Sequence, residues 1–312
     1  MRSRQSAAIV LTLLVLTFTA RAQDKRASKN YPPEMKGCRT EVYKQIGDTK
    51  LKIYIFEPKT HSANESRSSI VFFFGGGWRA GTPKQFEQHC RYFASRGMIA
   101  MAADYRVASR HNTKAVACVR DAKSAIRWVR THARRLGVDP DRVIAGGGSA
   151  GGHIAACTGT IHGLDEQGED LAISSVPNGL ALFNPALVLA PVLGESATAP
   201  KKLEQLADRL GTELEQLSPF HQLKKPLPPT IIFHGRDDKT VPYRTAEAFT
   251  ERAKQQQADI ELRGYEGEDH GFFNFGRAEN RHYIDTVQHL DRFMVDRGLL
   301  EGPTPKTVKI LE

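Results

Sequence analysis

The chain has 312 residues, of which 40% are hydrophobic and 25% charged, and this ordinary composition excludes a collagen-like, low-complexity or wholly disordered protein. Its four cysteines are too few for a small disulfide-stapled fold, and its length is enough to bury a large core. The formal net charge of +9 would suit a polyanion partner, but part of it lies in a segment at the N-terminus that is expected to be removed.

This N-terminal segment has the pattern of a secretory signal peptide. Arg2 and Arg4 precede a mostly apolar stretch at residues 7–18, and residues 20–22 (Ala-Arg-Ala) form a small-x-small cleavage site. The stretch is too short to cross a bilayer as a helix, which disfavours the alternative of an uncleaved membrane anchor. We therefore expect cleavage of residues 1–22 and an exported protein, periplasmic or secreted, without stable membrane insertion. Cleavage lowers the formal charge to +6, because it removes three arginines and no acid.

Strands and helices are predicted to alternate through the rest of the chain. Residues 23–38 are expected to form a flexible leader, and residues 39–312 one domain. Alternation at Leu51, Ile53 and Ile55 predicts a half-buried strand, whereas the apolar run at residues 70–74 is typical of a strand buried on both faces of a parallel sheet. Further strands are predicted at residues 98–103, 142–145, 186–190, 230–234 and 260–265, and helices at residues 86–96, 115–136, 151–160, 244–257 and 281–297, with one or two short helices within 191–228. This order predicts a single α/β domain with a mostly parallel central sheet and helices on both faces.

One basic stretch, residues 120–135, interleaves its charges with Ala, Ile and Val at helical spacing. This pattern favours a solvated helix face over a surface for nucleic acid or an acidic glycan, so nucleic acid is not an expected partner. The cysteines could pair in an oxidising compartment, but most fall on apolar helical stripes, where a buried free thiol is equally consistent. They are Cys38, Cys90, Cys118 and Cys157.

The sharpest local signal is Gly147-Gly148-Ser149-Ala150-Gly151-Gly152, which matches G-x-S-x-G between a predicted strand and a predicted helix. At such a joint the serine occupies a tight, strained turn, and the glycines avoid collisions with neighbouring backbone. The helix that follows directs its N-terminal N–H groups toward developing negative charge. Ser149 is therefore the candidate nucleophile, and the alternative is a glycine-rich anion-binding turn with a bystander serine.

A serine nucleophile needs a base, and an acid that orients the base. For a serine at this joint the expected chain order is Ser, then Asp or Glu, then His. His270 follows a predicted strand and a charged turn, which places it at the carboxyl edge of the sheet, and it is the candidate base. His234 is expected to brace the loop that presents the acid. For the acid itself the residues leave Asp238 and Asp237 open, with Asp238 preferred.

An ester carbonyl under attack becomes an oxyanion, which needs N–H donors already aimed at it, each contributing about 3 kcal/mol. Ala150, the residue after the nucleophile, is expected to supply one donor. A glycine loop follows the strand at residues 70–74, and within it Gly76 and Gly77 are the candidates for the others. A phosphate-binding loop is the alternative, but neither of its usual glycine spacings opens a helix here.

Five motifs of the chain occur together and in order. They are Gly75-Gly76-Gly77-Trp78, Asp104-Tyr105-Arg106, Gly147-Gly148-Ser149-Ala150-Gly151-Gly152-His153, His234-Gly235-x-x-Asp238-x-x-Val241-Pro242 and His270-Gly271-Phe272. With these motifs the chain resembles the α/β-hydrolase fold, and within it bacterial carboxylesterases of the hormone-sensitive-lipase-like and feruloyl/acetyl-xylan-esterase-like families. The resemblance selects Asp238 as the acid, because it stands three residues before Val-Pro. The chain departs from the pattern at Phe74, where members usually have a histidine that braces the oxyanion loop.

Four further polar residues have both a functional and a structural interpretation. His153 and Cys157, four apart on a helix, could be metal ligands, but no third ligand stands nearby in sequence and His153 matches a family position that packs behind the nucleophile. No metal is therefore expected. Asp104 and Arg106 could bind substrate, and a buried structural ion pair is the preferred interpretation.

The aromatic residues near the motifs could line an acyl or aromatic pocket, or could pack in the core. Trp78 and Phe272 are the tentative substrate-binding residues, and the same two possibilities hold for Tyr105 and Phe273.

The resemblance implies a serine carboxylic ester hydrolase that works through an acyl-enzyme and needs no cofactor. The presumed cap, residues 191–228 with 161–180, is short, which favours short acyl groups such as those of acetylated or feruloylated polysaccharide. The alternatives are a serine peptidase of the prolyl-oligopeptidase type and a non-catalytic binding module on a hydrolase scaffold.

Overall fold

The computed structural model describes residues 31–192, 200–223 and 227–310. Residues 1–30, with the expected signal peptide and the first part of the expected leader, lie outside the described residues. Over the described ranges no helix is long and apolar enough to span a bilayer.

Eight strands form one sheet. They are β1 (Arg39–Ile46), β2 (Thr49–Phe56), β3 (Arg67–Phe73), β4 (Ile99–Ala103), β5 (Val138–Gly148), β6 (Gly179–Phe183), β7 (Thr230–Gly235) and β8 (Ile260–Tyr265). Their order across the sheet is β1-β2-β4-β3-β5-β6-β7-β8. The β1–β2 and β2–β4 pairs are antiparallel, and every pair from β4 to β8 is parallel. The loops that follow the parallel strands therefore meet at one edge of the sheet.

Helices cover both faces of this sheet. They are α1 (Glu87–Ser95), α2 (Ala108–His111), α3 (Ala115–Thr131), α4 (Ala133–Leu136), α5 (Ala150–Thr160), α6 (Pro200–Leu210), α7 (Pro219–Gln222), α8 (Tyr243–Gln255) and α9 (Arg281–Asp296). Side chains of β3 alternate between two apolar cores: Val71 and Phe73 pack with α3, α5 and α8, whereas Ile70 and Phe72 pack with α1 and α9. The predicted α/β fold, with a mostly parallel sheet covered on both faces, is confirmed.

The strand predicted at residues 186–190 is wrong. The sheet position beside β5 is filled by β6, and residues 186–190 form a connection after it. Their backbone binds the cap instead of the sheet: the carbonyl of Leu187 accepts from the N–H of Phe220 at 2.9 Å, and the N–H of Leu189 donates to Ser218 Oγ at 3.1 Å. Residues 186–190 and β6 are both short, apolar and mostly buried, so their sequences do not distinguish a strand from a buried connection.

The described end of the expected leader packs against the domain. Met35 is 8% exposed and belongs to the core on the α1 side of the sheet. The guanidinium of Arg110 lies 4.1 Å from the centre of the Tyr31 ring. Residues 31–38 are therefore held in place by apolar and cation–π contacts, which their polar composition did not indicate.

The basic stretch at residues 120–135 is also not a uniformly solvated face. Lys123 and Arg127 are only 2% and 8% exposed. Both bind Asp165, at 2.8 and 2.6 Å, and Arg127 also binds Glu169 at 2.7 Å. The connection after α5 covers these cations with its acids, because buried charges need partners.

Candidate active site

Ser149 lies at the joint between β5 and α5, at the carboxyl edge of the sheet. Its backbone has φ 55° and ψ −119°, a conformation that side chains rarely adopt and that costs on the order of 1–3 kcal/mol. Its N–H donates to the carbonyl of Phe183, at the end of β6, at 2.8 Å. The half-buried serine thus stands on a strained turn that is fixed to the neighbouring strand.

Glycines permit this turn because no side chain fits beside it. A Cβ on Gly147 would lie 2.5 Å from the carbonyl of Gly151, and a Cβ on Gly151 would lie 2.0 Å from the carbonyl oxygen of Phe73. Both distances are far inside van der Waals contact. The glycines therefore let the first turn of α5 approach the backbone of β3, as the sequence pattern indicated.

Three side chains distant in sequence meet above this edge. His270 Nε2 lies 2.9 Å from Ser149 Oγ, and His270 Nδ1 lies 2.7 Å from Asp238 Oδ2. Asp238 is 5% exposed, whereas Asp237, the other acid that the residues had left open, is exposed to solvent. The structure brings Ser149, His270 and Asp238 into one line of hydrogen bonds and leaves Asp237 outside it.

The carboxylate of Asp238 is buried among hydrogen-bond donors. Asn184 Nδ2 donates to its Oδ2 at 2.7 Å, and the N–H of Val241 donates to its Oδ1 at 2.9 Å. Burial alone would raise the pKa of Asp238, but hydrogen bonds from His234 and His270 outweigh it and hold this pKa well below its usual range. The carboxylate is therefore ionised at neutral pH.

Two neighbouring residues, His234 and Asn184, contact the same oxygen of this carboxylate, Oδ2. His234 Nε2 lies 2.8 Å from the carbonyl of Val241 and 3.3 Å from Asp238 Oδ2, so the ring ties the acid's loop to the end of β7. Asn184 follows β6 directly, and the sequence reasoning missed it. Its position after an apolar strand would have been a signal, had residues 179–183 been recognised as that strand.

The glycine loop (residues 75–77) follows β3 and lies beside the serine. A Cβ on Gly75 would be 3.3 Å from the Cβ of Ser149. Gly76 and Gly77 have φ of 123° and 59°, a region that favours glycine. Across the described ranges, neither of their N–H groups has an intramolecular acceptor. Ala150 is the first residue of α5, where backbone N–H groups have no helical partner.

Phe74 is buried and stacks on Tyr105, with ring centroids 4.1 Å apart. The hydroxyl of Tyr105 donates to the carbonyl of Phe74 at 2.6 Å. These two contacts hold the start of the glycine loop, where the resembled families usually have a histidine.

A bridge of two amide side chains joins the glycine loop to the loop that carries His270. Gln85 Oε1 accepts from the N–H of Gly75 at 2.6 Å, and Gln85 Nε2 donates to Asn274 Oδ1 at 2.8 Å. Asn274 Nδ2 in turn donates to the carbonyl of Gly271 at 2.8 Å. The sequence reasoning missed this amide bridge, and no spacing or motif marks its members.

The tentative substrate-binding residues lie inside the protein. Trp78 and Phe272 are 5% and 1% exposed. The indole N–H of Trp78 donates to His153 Nδ1 at 3.1 Å, and the Phe272 ring packs 4.6 Å from that of Tyr265. Core packing, the second possibility that the sequence left open, therefore describes both side chains.

His153 is neutral and structural. Its Nε2 lies 2.7 Å from the carbonyl of Leu217, and burial lowers the pKa of His153 to about 4. Cys157 Sγ lies 3.3 Å from the same nitrogen. In the part of the chain that the structure describes, no third ligand joins this pair to make a metal site.

Asp104 is buried and Arg106 half-buried, and both form ion pairs, but not with each other. Arg106 binds Asp121 at 2.7 Å, and Asp121 also binds Lys44 at 2.8 Å. Asp104 meets Arg110 at 3.3 Å. The chain turns after β4, so the two residues reach different partners.

Comparison with known proteins places this chain in a family. The BD-FAE family model matches residues 53–253. Native esterase 2 of Thermogutta terrifontis is 50% identical, over 90% of this chain and 100% of that chain, with a TM-score of 0.85. The same esterase also has structures with bound propionate (51% identity, TM-score 0.83) and phosphorylated by paraoxon (50% identity, TM-score 0.81), each covering 88% of this chain and 99% of that chain.

Curated relatives are more distant. A probable isoprenylcysteine alpha-carbonyl methylesterase of Arabidopsis thaliana is 28% identical over 74% of this chain and 50% of its own. Esterase LipC of Mycobacterium tuberculosis is 27% identical over 65% of this chain and 52% of its own. The chain thus spans about half the length of the curated relatives it matches. The family model and esterase 2 both match most of the chain, and the chain belongs to the BD-FAE family, within the α/β-hydrolase fold.

Proposed function

We propose that this protein is a carboxylic ester hydrolase with Ser149 as its nucleophile. Ser149 Oγ attacks the ester carbonyl carbon while its proton passes to His270 Nε2, and Asp238 holds the Nδ1–H of the ring. N–H groups of Gly76, Gly77 and Ala150 stabilise the oxyanion that forms. The observation that carries the proposal is the continuous line from hydroxyl to imidazole to carboxylate, with contacts of 2.9 and 2.7 Å.

The remaining steps use the same groups. The protonated His270 gives its proton to the leaving alcohol oxygen as the bond to the acyl carbon breaks. Water then loses a proton to His270 and attacks the acyl-enzyme, which releases the carboxylic acid and returns the proton to Ser149. The ester and one water molecule supply every other atom and proton in these steps.

The substrates that we propose are esters with short acyl groups. Esterase 2 of Thermogutta terrifontis, half of whose residues are identical, binds propionate and butyrate. The cap is also short, with α6 and α7 as its helices in the described part of residues 191–228. We propose acetylated or feruloylated polysaccharide as the physiological class, on the resemblance to acetyl-xylan and feruloyl esterases.

The nucleophile is tested with 4-nitrophenyl acetate and with paraoxon. We expect Ser149→Ala to lower kcat by a factor of about 10⁴ or more, and paraoxon to label the wild-type protein on Ser149 alone. Hydrolysis by Ser149→Ala at the wild-type rate would reject Ser149. No hydrolysis by either protein would support a non-catalytic binding module.

The substrate class is tested with acetyl, butyryl and octanoyl 4-nitrophenyl esters, acetylated xylan, methyl ferulate and a proline-containing peptide amide. We expect kcat/KM to fall from butyryl to octanoyl, and acetate to be released from xylan. Faster cleavage of the peptide amide than of any ester would favour the peptidase alternative.

We also propose that the protein is exported, on the pattern of residues 1–22. Expression with its own N-terminus should give a mature protein in the periplasm or medium that begins at Gln23. The matched control is Leu13→Arg, which interrupts the apolar stretch and should leave an uncleaved precursor in the cytoplasm. A wild-type product that keeps Met1 in every fraction would reject cleavage.

A further inference from the structure

Two arginines lie beside the glycine loop. Arg209, on α6 of the cap, donates from Nη2 to the carbonyl of Gly77 at 2.5 Å, and its guanidinium lies 5.4 Å from the Trp78 ring centre. Arg79 follows that tryptophan and is exposed. Among the described residues, neither arginine takes part in an ion pair with Asp or Glu, although the structure pairs many other arginines.

The environment of Arg209 is unfavourable for a cation on its own. Its Nε is buried, and no atom of the described residues accepts a hydrogen bond from it. Burial and the positive charge of Arg79 together lower the pKa of Arg209 to about 10. The group is still protonated at neutral pH, so the protein holds a half-buried cation close to a second cation. An anion bound at this position would relieve both the desolvation and the repulsion.

The position of these arginines relates them to the substrate. Arg209 binds the carbonyl of Gly77, which adjoins Gly76, and the N–H groups of these two glycines are proposed oxyanion donors. The guanidinium therefore lies next to the loop that would bind the reacting carbonyl. A group a few bonds from the ester would reach it. Guanidinium binds carboxylates through paired N–H donors, which makes a carboxylate the anion of best fit.

We propose that Arg79 and Arg209 form a subsite for a carboxylate carried by the ester substrate. The proposal rests on the ester hydrolase function and adds a preference for anionic over neutral esters. The carboxylate belongs either to the acyl part or to the alcohol part of the ester, and one pair of substrates tests each side.

The experiment measures kcat/KM for each anionic ester relative to its neutral analogue. Mono-4-nitrophenyl glutarate against 4-nitrophenyl pentanoate tests the acyl side, and 4-acetoxybenzoate against 4-acetoxybenzamide tests the alcohol side. The ratio cancels losses that a variant causes for both esters. For the wild type we expect a ratio above one on the acyl side or the alcohol side of the ester. This ratio should fall about tenfold in Arg209→Gln and about threefold in Arg79→Gln. It should also fall for the wild type in 0.5 M NaCl.

The matched control is Arg134→Gln, which also removes one arginine charge. Arg134 is exposed and lies on α4, next to the amino end of β5, at the edge of the sheet opposite the candidate site. It should leave the ratio unchanged. The subsite would be overturned if the wild type hydrolyses the neutral esters with ratios at or below one and neither variant changes these ratios. The ester hydrolase function would still stand in that case. If the wild type hydrolyses no ester, calorimetric titration with glutarate decides: binding that Arg79→Gln weakens supports the subsite, and no binding overturns it.

Discussion

Gln85, in the amide bridge to Asn274, is predicted to position the glycine loop although it lies away from the reacting atoms. Gln85→Leu removes the acceptor of the Gly75 N–H and the donor to Asn274 Oδ1, at 2.6 and 2.8 Å in the wild type. A neutral hydrogen bond contributes about 1 kcal/mol net, and the two together about 2 kcal/mol. If the loop must be held in place only in the transition state, kcat should fall by about 30-fold while KM changes little.

The assay is steady-state hydrolysis of 4-nitrophenyl acetate by wild type, Gln85→Leu and Gln85→Glu. The glutamate keeps an acceptor for Gly75 but has no donor for Asn274, so its kcat should lie between the other two. Asn274→Leu should lower kcat by less than Gln85→Leu, and the double variant should lose less than the two single losses combined, because both break one contact. A kcat of Gln85→Leu within twofold of wild type, in a protein with the wild-type Tm, would refute the positioning role.

Three further predictions concern stability. Asp121→Asn should lower the free energy of unfolding in urea by about 1–3 kcal/mol, because Lys44 and Arg106 keep Glu166 as a partner but lose the fully buried carboxylate that they also share; an unchanged free energy of unfolding would contradict this. Gly151→Ala should give little folded protein by circular dichroism, since its Cβ would lie 2.0 Å from a backbone oxygen; a wild-type Tm would show that the turn adapts. Burial lowers the pKa of His89 to about 3, below the ordinary value near 6.5. The contribution of neutral His89 to the free energy of unfolding is therefore complete above about pH 6.5. It is lost by about 1.4 kcal/mol per pH unit as the pH falls from there toward 3. His89→Leu should reduce the slope of unfolding free energy against pH between 4 and 6 by that amount, and an unchanged slope would contradict it.

Local rules were enough to predict the positions of the main candidate residues. The G-x-S-x-G pattern required a strand before Ser149 and a helix after it, and β5 and α5 are there. Asp238 and His270 follow β7 and β8, the strands predicted at residues 230–234 and 260–265, and the topology of a parallel sheet brings such residues to one edge. Their chemical roles stay predictions until the variants are measured.

Packing between distant segments was not predictable. Residues 186–190 and β6 are both apolar and buried, and only the register with β5 and β7 decides which one joins the sheet. Gln85 and Asn274 are 189 residues apart, and each is a single polar residue without a pattern around it. Likewise, the acids that pair with Lys123 and Arg127 lie in an irregular connection, and the sequence of this connection has no periodic pattern from which its path could be predicted.

The candidate residues are contributed by the ends of β5, β7 and β8, and β8 is both the last strand in the chain and a border strand of the sheet. A nascent polypeptide that has emerged only as far as the loop after β7 therefore holds the serine and the acid but not the imidazole. In the proposed mechanism, activity arises only after the final strand has docked, so we expect a chain that lacks this strand to have no hydrolytic capacity. During renaturation, turnover of a chromogenic ester should consequently report the docking of β8, not local formation of the serine turn.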